Sequence, residues 1–529
     1  MIEIDLTLPL SYDDADIRRA IFERLPTLCE QELISYRLYA VGVDTRQKPP
    51  CAVRARAVLS VEPERERGLL KMKKLVRSYD LRPLTVVGAT EKSRRPVVVG
   101  MGPAGLFAAL VLAKAGVAPI VLEQGPAVEE RAERVRTFFS GGSLDPDANI
   151  QFGEGGAGAF SDGKLKYGHL DEKVLFVLES FVEAGAPESL LTLRAPHIGT
   201  DYLPVCVKNL RDKIISYGGE VRFGDRLVDI DFENGAVRAL TVAHGGECYQ
   251  IETDAVFLAC GHSARPLFYM LEEKGVAMSA RPFGMGVRIE HPQKSINEQI
   301  YGKLPEGLFL PPASYHLVTH LKNGRSVYSF CMCPGGEVVA AASERGGIVT
   351  NGMSPYLRDG ENANAALLVS LRPDDFSGDR PTRGLRFQEE VERRAFALGG
   401  NYRAPATTLG AFMKGRCPSL DTPLHPTYAR GTTACDLEEL FPSFITDSLR
   451  MAIADFEEYQ PGFFDPNAIL TAPETRSTSP IRIERDAQTY ESLTHRGLYP
   501  VGEGSGYSGG ILSSATDAIG AALAFLSSL

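Results

Sequence analysis

The sequence predicts an α/β protein built on a doubly wound parallel sheet, with an inserted α+β region and a small α+β module ahead of it. Three observations predict this. Residues 96–124, "PVVVGMGPAGLFAALVLAKAGVAPIVLEQ", run strand, glycine turn, helix, strand, the opening of a doubly wound unit. The tail "LYPVGEGSGYSGGILSSATDAIGAALAFL" returns to strand, glycine turn and a long helix of small residues. Between them, residues from about 265 to 470 are punctuated by Pro and Gly and carry a hairpin pattern.

Taken in order, "IEIDLTL" alternates as a strand does. In "YDDADIRRAIFERL" the apolar residues Ile17, Ala20, Ile21 and Leu25 recur at helical spacing behind the capping candidates Asp13 and Asp14. "LISYRLYAVGV" and "CAVRARAVLSVE" read as strands joined by "DTRQKPP". The charged runs "ERERGLLKMKKLVRSYD" and "EKSRRP" read as a solvated linker region, with a boundary near residue 90. Several short strands follow within 218–263, turning at Asn234-Gly235 and Gly245-Gly246 and closing in an apolar run at 255–260. The expected division is an N-terminal module at 1–90, two parts of one nucleotide-binding domain at 91–265 and 471–529, and a substrate or cap domain at 266–470.

Composition bounds the function. The 529 residues are 44% hydrophobic, enough for two or three domains, and the net charge is -10 with both signs interspersed. A nucleic-acid partner is therefore disfavoured. The start "MIEIDLTLPL" has no basic and apolar secretory pattern, and no run of about 18 uncharged apolar residues occurs. Nine unevenly spread cysteines fit a reducing compartment. The expectation is a cytoplasmic protein without a membrane partner, acting on a small molecule.

Two stretches match G-x-G-x-x-G, and context separates them. At Gly100-x-Gly102-x-x-Gly105 an apolar strand precedes and a helix with Ala108, Ala109, Ala113 and Gly116 follows. Gly100 permits the tight turn, Gly102 the approach of a pyrophosphate, and Gly105 a helix N-terminus facing that anion; Pro103 and Ala104 complete the loop. Glu123 ends the next strand eighteen residues after Gly105, where a carboxylate accepts from ribose hydroxyls and repels a 2′-phosphate; Gln124 follows it. The second match, Gly153-x-Gly155-x-x-Gly158, follows the polar "SLDPDAN" and has no helix-forming sequel. It is expected to present backbone to the same nucleotide. The fingerprint alone leaves NAD and FAD open.

Distant segments resolve that choice. The order "VLEQGP", "FGEGGAGAFSDGKL", "AVFLACGHSAR" and "YPVGEGSGYSGGILSSATDAIGAA" resembles flavoprotein oxidoreductases that bind FAD across both ends of the chain. Together with "GVRIEHPQ", "SFCMCPGGEVV", "NGMS" and "ETRSTSPIRIERD", these motifs resemble the uncharacterised bacterial FAD-dependent dehydrogenases over essentially the whole chain. The resemblance implies a Rossmann-like FAD-binding domain split in sequence and non-covalent FAD. By it, Gly155, Gly156, Gly158 and Ser161 line the flavin side, Arg131 lies near the pyrophosphate, and Ala259 and Gly261 flank the mid-chain turn. Gly502 and Glu503 stand where the superfamily has Gly-Asp. Gly504, Gly509, Gly510 and Ile511 place a second helix N-terminus at the isoalloxazine, where it favours a reduced, anionic flavin. The implied activity is that of an oxidoreductase passing hydride through flavin N5, with NAD(P)H as a transient donor, since no second nucleotide domain is apparent. The alternatives are a flavoprotein that modifies RNA and a non-catalytic flavoprotein that binds a partner.

Candidates for chemistry beyond the flavin are few. His262 follows the Ala-Cys-Gly turn, either as a proton donor near N5 or as a turn histidine bonding backbone. Arg288 and Arg476 either hold a substrate carboxylate or phosphate or form structural ion pairs with Glu290 or Glu474. In a strand, Cys331 and Cys333 present both sulfurs to one face, and a disulfide across one residue is strained. A two-residue hairpin turn at Asn323-Gly324 would set His316 opposite Cys331, with His320 on the same face. Structural zinc needs four convergent ligands in a closed geometry, so no metal is expected.

Overall fold

The computed structural model describes all residues except 47, 51, 89–94 and 416. The boundary expected near residue 90, the run at 91–94 and the first residue of the strand expected from Cys51 lie outside the described residues.

Five parallel strands form the central sheet, in the order Leu498–Pro500, Val256–Leu258, Val97–Val99, Ile120–Glu123, Glu220–Phe223. Strand Val256–Leu258 sits between the first strand of the unit and the last, so the two ends of the chain meet in one sheet. Helix Pro103–Lys114 starts with Pro at its first turn and is buried from Ala104 through Ala113. It is apolar all round because it lies between this sheet and helix Ile511–Ser528, whose Leu512, Ala515, Ala518, Ile519, Ala522 and Phe525 share its core. That last helix is long and apolar enough by composition to cross a membrane. Here those apolar residues face the protein core. The segment 219–252 adds Arg226–Glu233, Ala236–His244 and Glu247–Glu252, a three-stranded antiparallel sheet.

The second large body is a seven-stranded mixed sheet ordered Val318–His320, Ser326–Cys333, Asn362–Leu371, Phe283–Pro292, Ile469–Glu474, Ala404–Thr408, Thr432–Ala434. Helices Arg383–Gly399 and Ser443–Tyr459 contribute Val391, Ala395, Leu449, Ile453 and Phe456 to its core. The expected border at 470/471 falls inside strand Ile469–Glu474, which completes this sheet. The chain enters and leaves side by side, as Met278–Ala280 and Ile481–Ile483 pair antiparallel.

The N-terminal module is a four-stranded antiparallel sheet, Leu33–Val43, Ala52–Val61, Ile2–Pro9, Val76–Ser78. Helix Asp14–Arg24 packs Ile21 on it, with Asp13 capping through the amide of Asp16. Backbone bonds from Val41 to Thr192 and Arg194 join the module to the nucleotide domain.

The hairpin register departs from the expected one by one residue. Val318 pairs with Tyr328 and His320 with Ser326, and Leu321 bonds Arg325 around a three-residue turn with Gly324 at φ +78°. Three-residue hairpins place glycine in this left-handed region. His316 is consequently not opposite Cys331.

Candidate functional site

The two glycine motifs meet face to face. Gly155 donates its amide to the carbonyl of Met101 at 2.8 Å, and a Cβ on Gly156 would lie 2.9 Å from the Cα of Gly102. Backbone packs directly on backbone there. A Cβ on Gly105 would sit 1.8 Å from the carbonyl oxygen of Gly100, so this glycine is what lets helix Pro103–Lys114 close on its strand. Gly100 itself has φ +96°, with the Ala259 carbonyl where its Cβ would stand.

Glu123 joins these loops. Its carboxylate accepts from the amides of Met101 at 2.9 Å, Gly125 at 3.0 Å and Gly153 at 3.0 Å. A carboxylate offers about four acceptor directions, so one remains for a ribose hydroxyl. The expectation that it receives both hydroxyls is corrected to that extent.

A cavity of about 560 Å³ opens beyond the loops. Of the expected cofactor residues, Gly100, Gly102, Pro103, Ala104, Glu123, Gly156, Gly158, Ser161, Ala259, Gly261, Glu503, Gly509, Gly510 and Ile511 line it. A second cavity of about 260 Å³ shares Gly100, Glu123, Phe152, Cys260 and Ser263 with the first and adds Gln124, Arg226 and Leu227. The two cavities thus adjoin at the nucleotide loops. Gly105, Gly155 and Gly502 line neither cavity; they shape the loops that do. A Cβ on Gly502 would press on Ala104 at 2.8 Å, and one on Gly504 would strike the carbonyl of Gly261 at 2.2 Å.

Arg131 is put to a different use from the one expected. Fully buried, it donates to the carbonyls of Asn149, Ile150, Gly153, Glu154 and Gly156 at 2.7–3.2 Å. These bonds hold the 149–156 loop in place, and Arg131 lines neither cavity.

The candidates for chemistry divide. Arg288 is fully buried and pairs bidentately with Glu474 at 2.9 Å, and its other donors reach the Cys331 carbonyl, Asn351 and Asn364. It is a structural cation with no donor left for substrate. Arg476 pairs with Glu392, a partner 84 residues away, rather than Glu290 or Glu474. Arg265 grips the same carboxylate at 2.8 and 2.9 Å. Their two positive charges hold Glu392 down at about 2 against the opposing effect of burial. Arg476 also bonds Ser343 and lines the large cavity, with two N–H groups unassigned to protein among the described residues.

His262 lines the cavity with its Nδ1 3.0 Å from the Ser263 hydroxyl. Burial, reinforced by Arg476 and Arg265, pushes its imidazolium down to about 3. It is therefore neutral at physiological pH, and an imidazolium proton donor is not what the site holds. Burial, with the Cys331 charge adding to it, pushes Glu503 up to about 8, so that its protonated carboxyl can donate a hydrogen bond into the cavity.

Sequence reasoning passed over Lys164, Asp162 and Arg358. Asp162 bridges Lys164 at 2.9 Å and Arg358 at 2.6 Å, and Lys164 bonds the Met332 carbonyl and lines the cavity. The stretch "FSDGKL" contained two of these residues, but Arg358 lies 196 residues from Asp162. Cys331 also lines the cavity, with its Sγ 3.9 Å from that of Cys333. His316 lines it too, while His320 is exposed and bonds Ser326. No group of three or more metal-ligating side chains occurs among the described residues.

The site fits FAD. Glycine loops with no room for a Cβ, a carboxylate at the end of the second strand, and a helix N-terminus at Gly509–Ile511 converge on one groove. Comparison with known proteins agrees: residues 95–154 match the FAD binding domain, and residues 282–477 match the domain described as FAD-dependent protein, C-terminal domain-like. An uncharacterised protein of Clostridium beijerinckii is 46% identical over 434 residues, covering 82% of this chain and 80% of that protein. Among solved structures, a flavin-dependent brominase gives a TM-score of 0.36 at 13% identity, covering 82% of this chain and 79% of that one. A 3-ketosteroid dehydrogenase from Rhodococcus jostii gives 0.34 at 12% identity, covering 84% and 99%.

Proposed function

The chain belongs to the family of FAD-dependent proteins, and on that premise we propose that it is an oxidoreductase whose small-molecule substrate meets the flavin in the larger cavity. FAD bound there supplies a two-electron donor and acceptor at N5 of its isoalloxazine. One observation carries the reading: the cavity that begins at the nucleotide loops also reaches a buried cation, Arg476, with two N–H groups free of protein partners among the described residues.

The residues divide the work as follows. Arg476, held rigid by Glu392, anchors a carboxylate or phosphate of the substrate. His262 accepts or donates a neutral hydrogen bond that orients it. Glu503, protonated at pH 7, donates towards the ribityl or pyrophosphate region. The helix N-terminus at Gly510 stabilises negative charge on the reduced ring. NADH or NADPH serves as a transient donor over the same face.

Anaerobic mixing with NADH and with NADPH tests the donor. Bleaching of the flavin band with either supports the reading, and no bleaching with both removes the nicotinamide from it. The RNA-directed alternative predicts retarded mobility with total tRNA at low salt; unchanged mobility is expected from a net charge of -10.

A further inference from the structure

The Cys331-Met332-Cys333 segment is not regular strand. Pairing with Asn362–Leu371 slips between Phe330 and Cys333, and Cys331 has φ +41°, a left-handed conformation that a side-chain-bearing residue adopts at a cost. The bulge folds the segment so that the two sulfurs approach to 3.9 Å, and the Cys333 thiol points at the Cys331 carbonyl at 3.2 Å. A strained residue beside a ligand cavity is where a functional constraint is expected.

The pair is also asymmetric. Cys331 lines the cavity, whereas Cys333 is fully buried behind it. Lys164 and Arg288 both act on Cys331 electrostatically, the first from the cavity wall and the second bonded to its carbonyl. The hydrogen bond from the neighbouring thiol, with these cations, draws Cys331 well below the ordinary thiol range, while the same bond to Cys331, with burial, pushes Cys333 well above it. A cavity-facing thiolate with a protonated thiol behind it is the arrangement of an attacking and a resolving cysteine. Glu503 and Cys331 line the same cavity.

We propose that Cys331 and Cys333 form a dithiol–disulfide couple that exchanges two electrons with the flavin across the larger cavity. As the Sγ–Sγ bond forms between the Cys331 thiolate and Cys333, the one S–H bond, that of Cys333, breaks; the two electrons and one proton released leave the pair oxidised and the isoalloxazine reduced to its anionic form. The reverse transfer restores the thiolate and the thiol and oxidises the ring. A bridge across one residue departs from relaxed disulfide geometry, which makes it the readily reduced, labile kind that such an exchange requires. The couple rests on the flavoprotein oxidoreductase reading and extends it to a second redox centre.

Two measurements on the FAD-loaded protein test it. In an anaerobic dithionite titration, the air-oxidised protein takes up about four electrons per flavin, and the Cys331→Ser and Cys333→Ser variants about two, because a disulfide is a two-electron couple. Alkylation followed by mass spectrometry reads the thiols directly. The tryptic peptide at residues 326–345 contains both cysteines and no other; it is expected to resist iodoacetamide before reduction and to take two labels after it. Uptake of two electrons in all three proteins, or a peptide fully labelled before reduction, overturns the couple. Dithionite needs no binding site, so a flavin that fails to bleach with NADH and NADPH counts against the nicotinamide reading alone.

Discussion

At Glu123, one carboxylate holds three backbone amides from three loops, and its replacement isolates what that junction contributes. Glu123→Gln keeps one carbonyl acceptor and turns an NH₂ group towards the remaining amides. An unsatisfied buried donor costs about 1–3 kcal/mol, so FAD affinity is expected to fall about ten- to a hundredfold, measured by quenching of flavin fluorescence on titration into apoprotein. The motif made Glu123 legible in the sequence, because strand end and spacing identify it. Its amide partners were not legible, since Gly153 lies thirty residues on in a loop whose course depends on Arg131. Arg288 and Arg476 show the same limit: a residue type announces a possible anion clamp, but only tertiary structure says whether Glu474 or Glu392 has already filled it.

Two buried groups predict how stability responds to acid. His262 is depressed to about 3 in the folded state, so the unfolded chain takes up a proton below about 6.5 that the folded chain refuses. Glu392 is depressed to about 2, so it stabilises the fold above the ordinary carboxylate range and loses that contribution as pH falls towards 2. Both effects weaken the protein in acid. His262→Asn is expected to flatten the decline in Tm between about pH 6.5 and 5, above the titration of ordinary carboxylates, as read by differential scanning calorimetry.

Among the elements, helix Pro103–Lys114 depends on a missing side chain. The 1.8 Å approach at Gly105 means that Gly105→Ala must push the helix off its strand. The expected product is a protein with little bound flavin and a lowered Tm, read from the ratio of absorbance at 450 to 280 nm. Gly156→Ala is expected to lose flavin by a different route, because a Cβ there separates the two glycine loops and Gly156 sits at φ +58°. Strands and helices flanking glycine motifs were legible because periodicity and turn residues agree there. The hairpin register was not, because Asn-Gly fits both two- and three-residue turns, and the bulge at Cys331 leaves no trace in the pattern of apolar residues.

In the whole molecule, the N-terminal module has its own core and, among the described residues, supplies no lining residue to either cavity. A chain lacking residues 1–88 is therefore expected to retain about one FAD per chain, at a Tm lowered by loss of the Val41 bonds and the Lys48 bond to the Gln299 carbonyl. Absorbance at 450 nm against protein concentration checks the first point and thermal melting the second. The split of the nucleotide domain was legible from its two glycine-turn ends. The exit from the seven-stranded sheet was not, because "ILTAPE" and the following "TRSTSP" read alike as strand and loop until pairing with Phe283–Pro292 assigns them.

The meeting of both chain ends in one sheet also orders events during synthesis. Gly100 leaves the ribosome roughly four hundred residues before Gly509, and at about 5–20 residues per second the interval is about 20–80 seconds. Throughout it, helix Pro103–Lys114 has no Ile511–Ser528 to cover it, and the groove lacks its final wall. Cofactor capture thus waits for helix Ile511–Ser528, and an abundant supply of FAD offers no protection before that helix is made. The vulnerable species in the cell is the unfinished chain, whose apolar helix must be shielded by other means until the last turn is made.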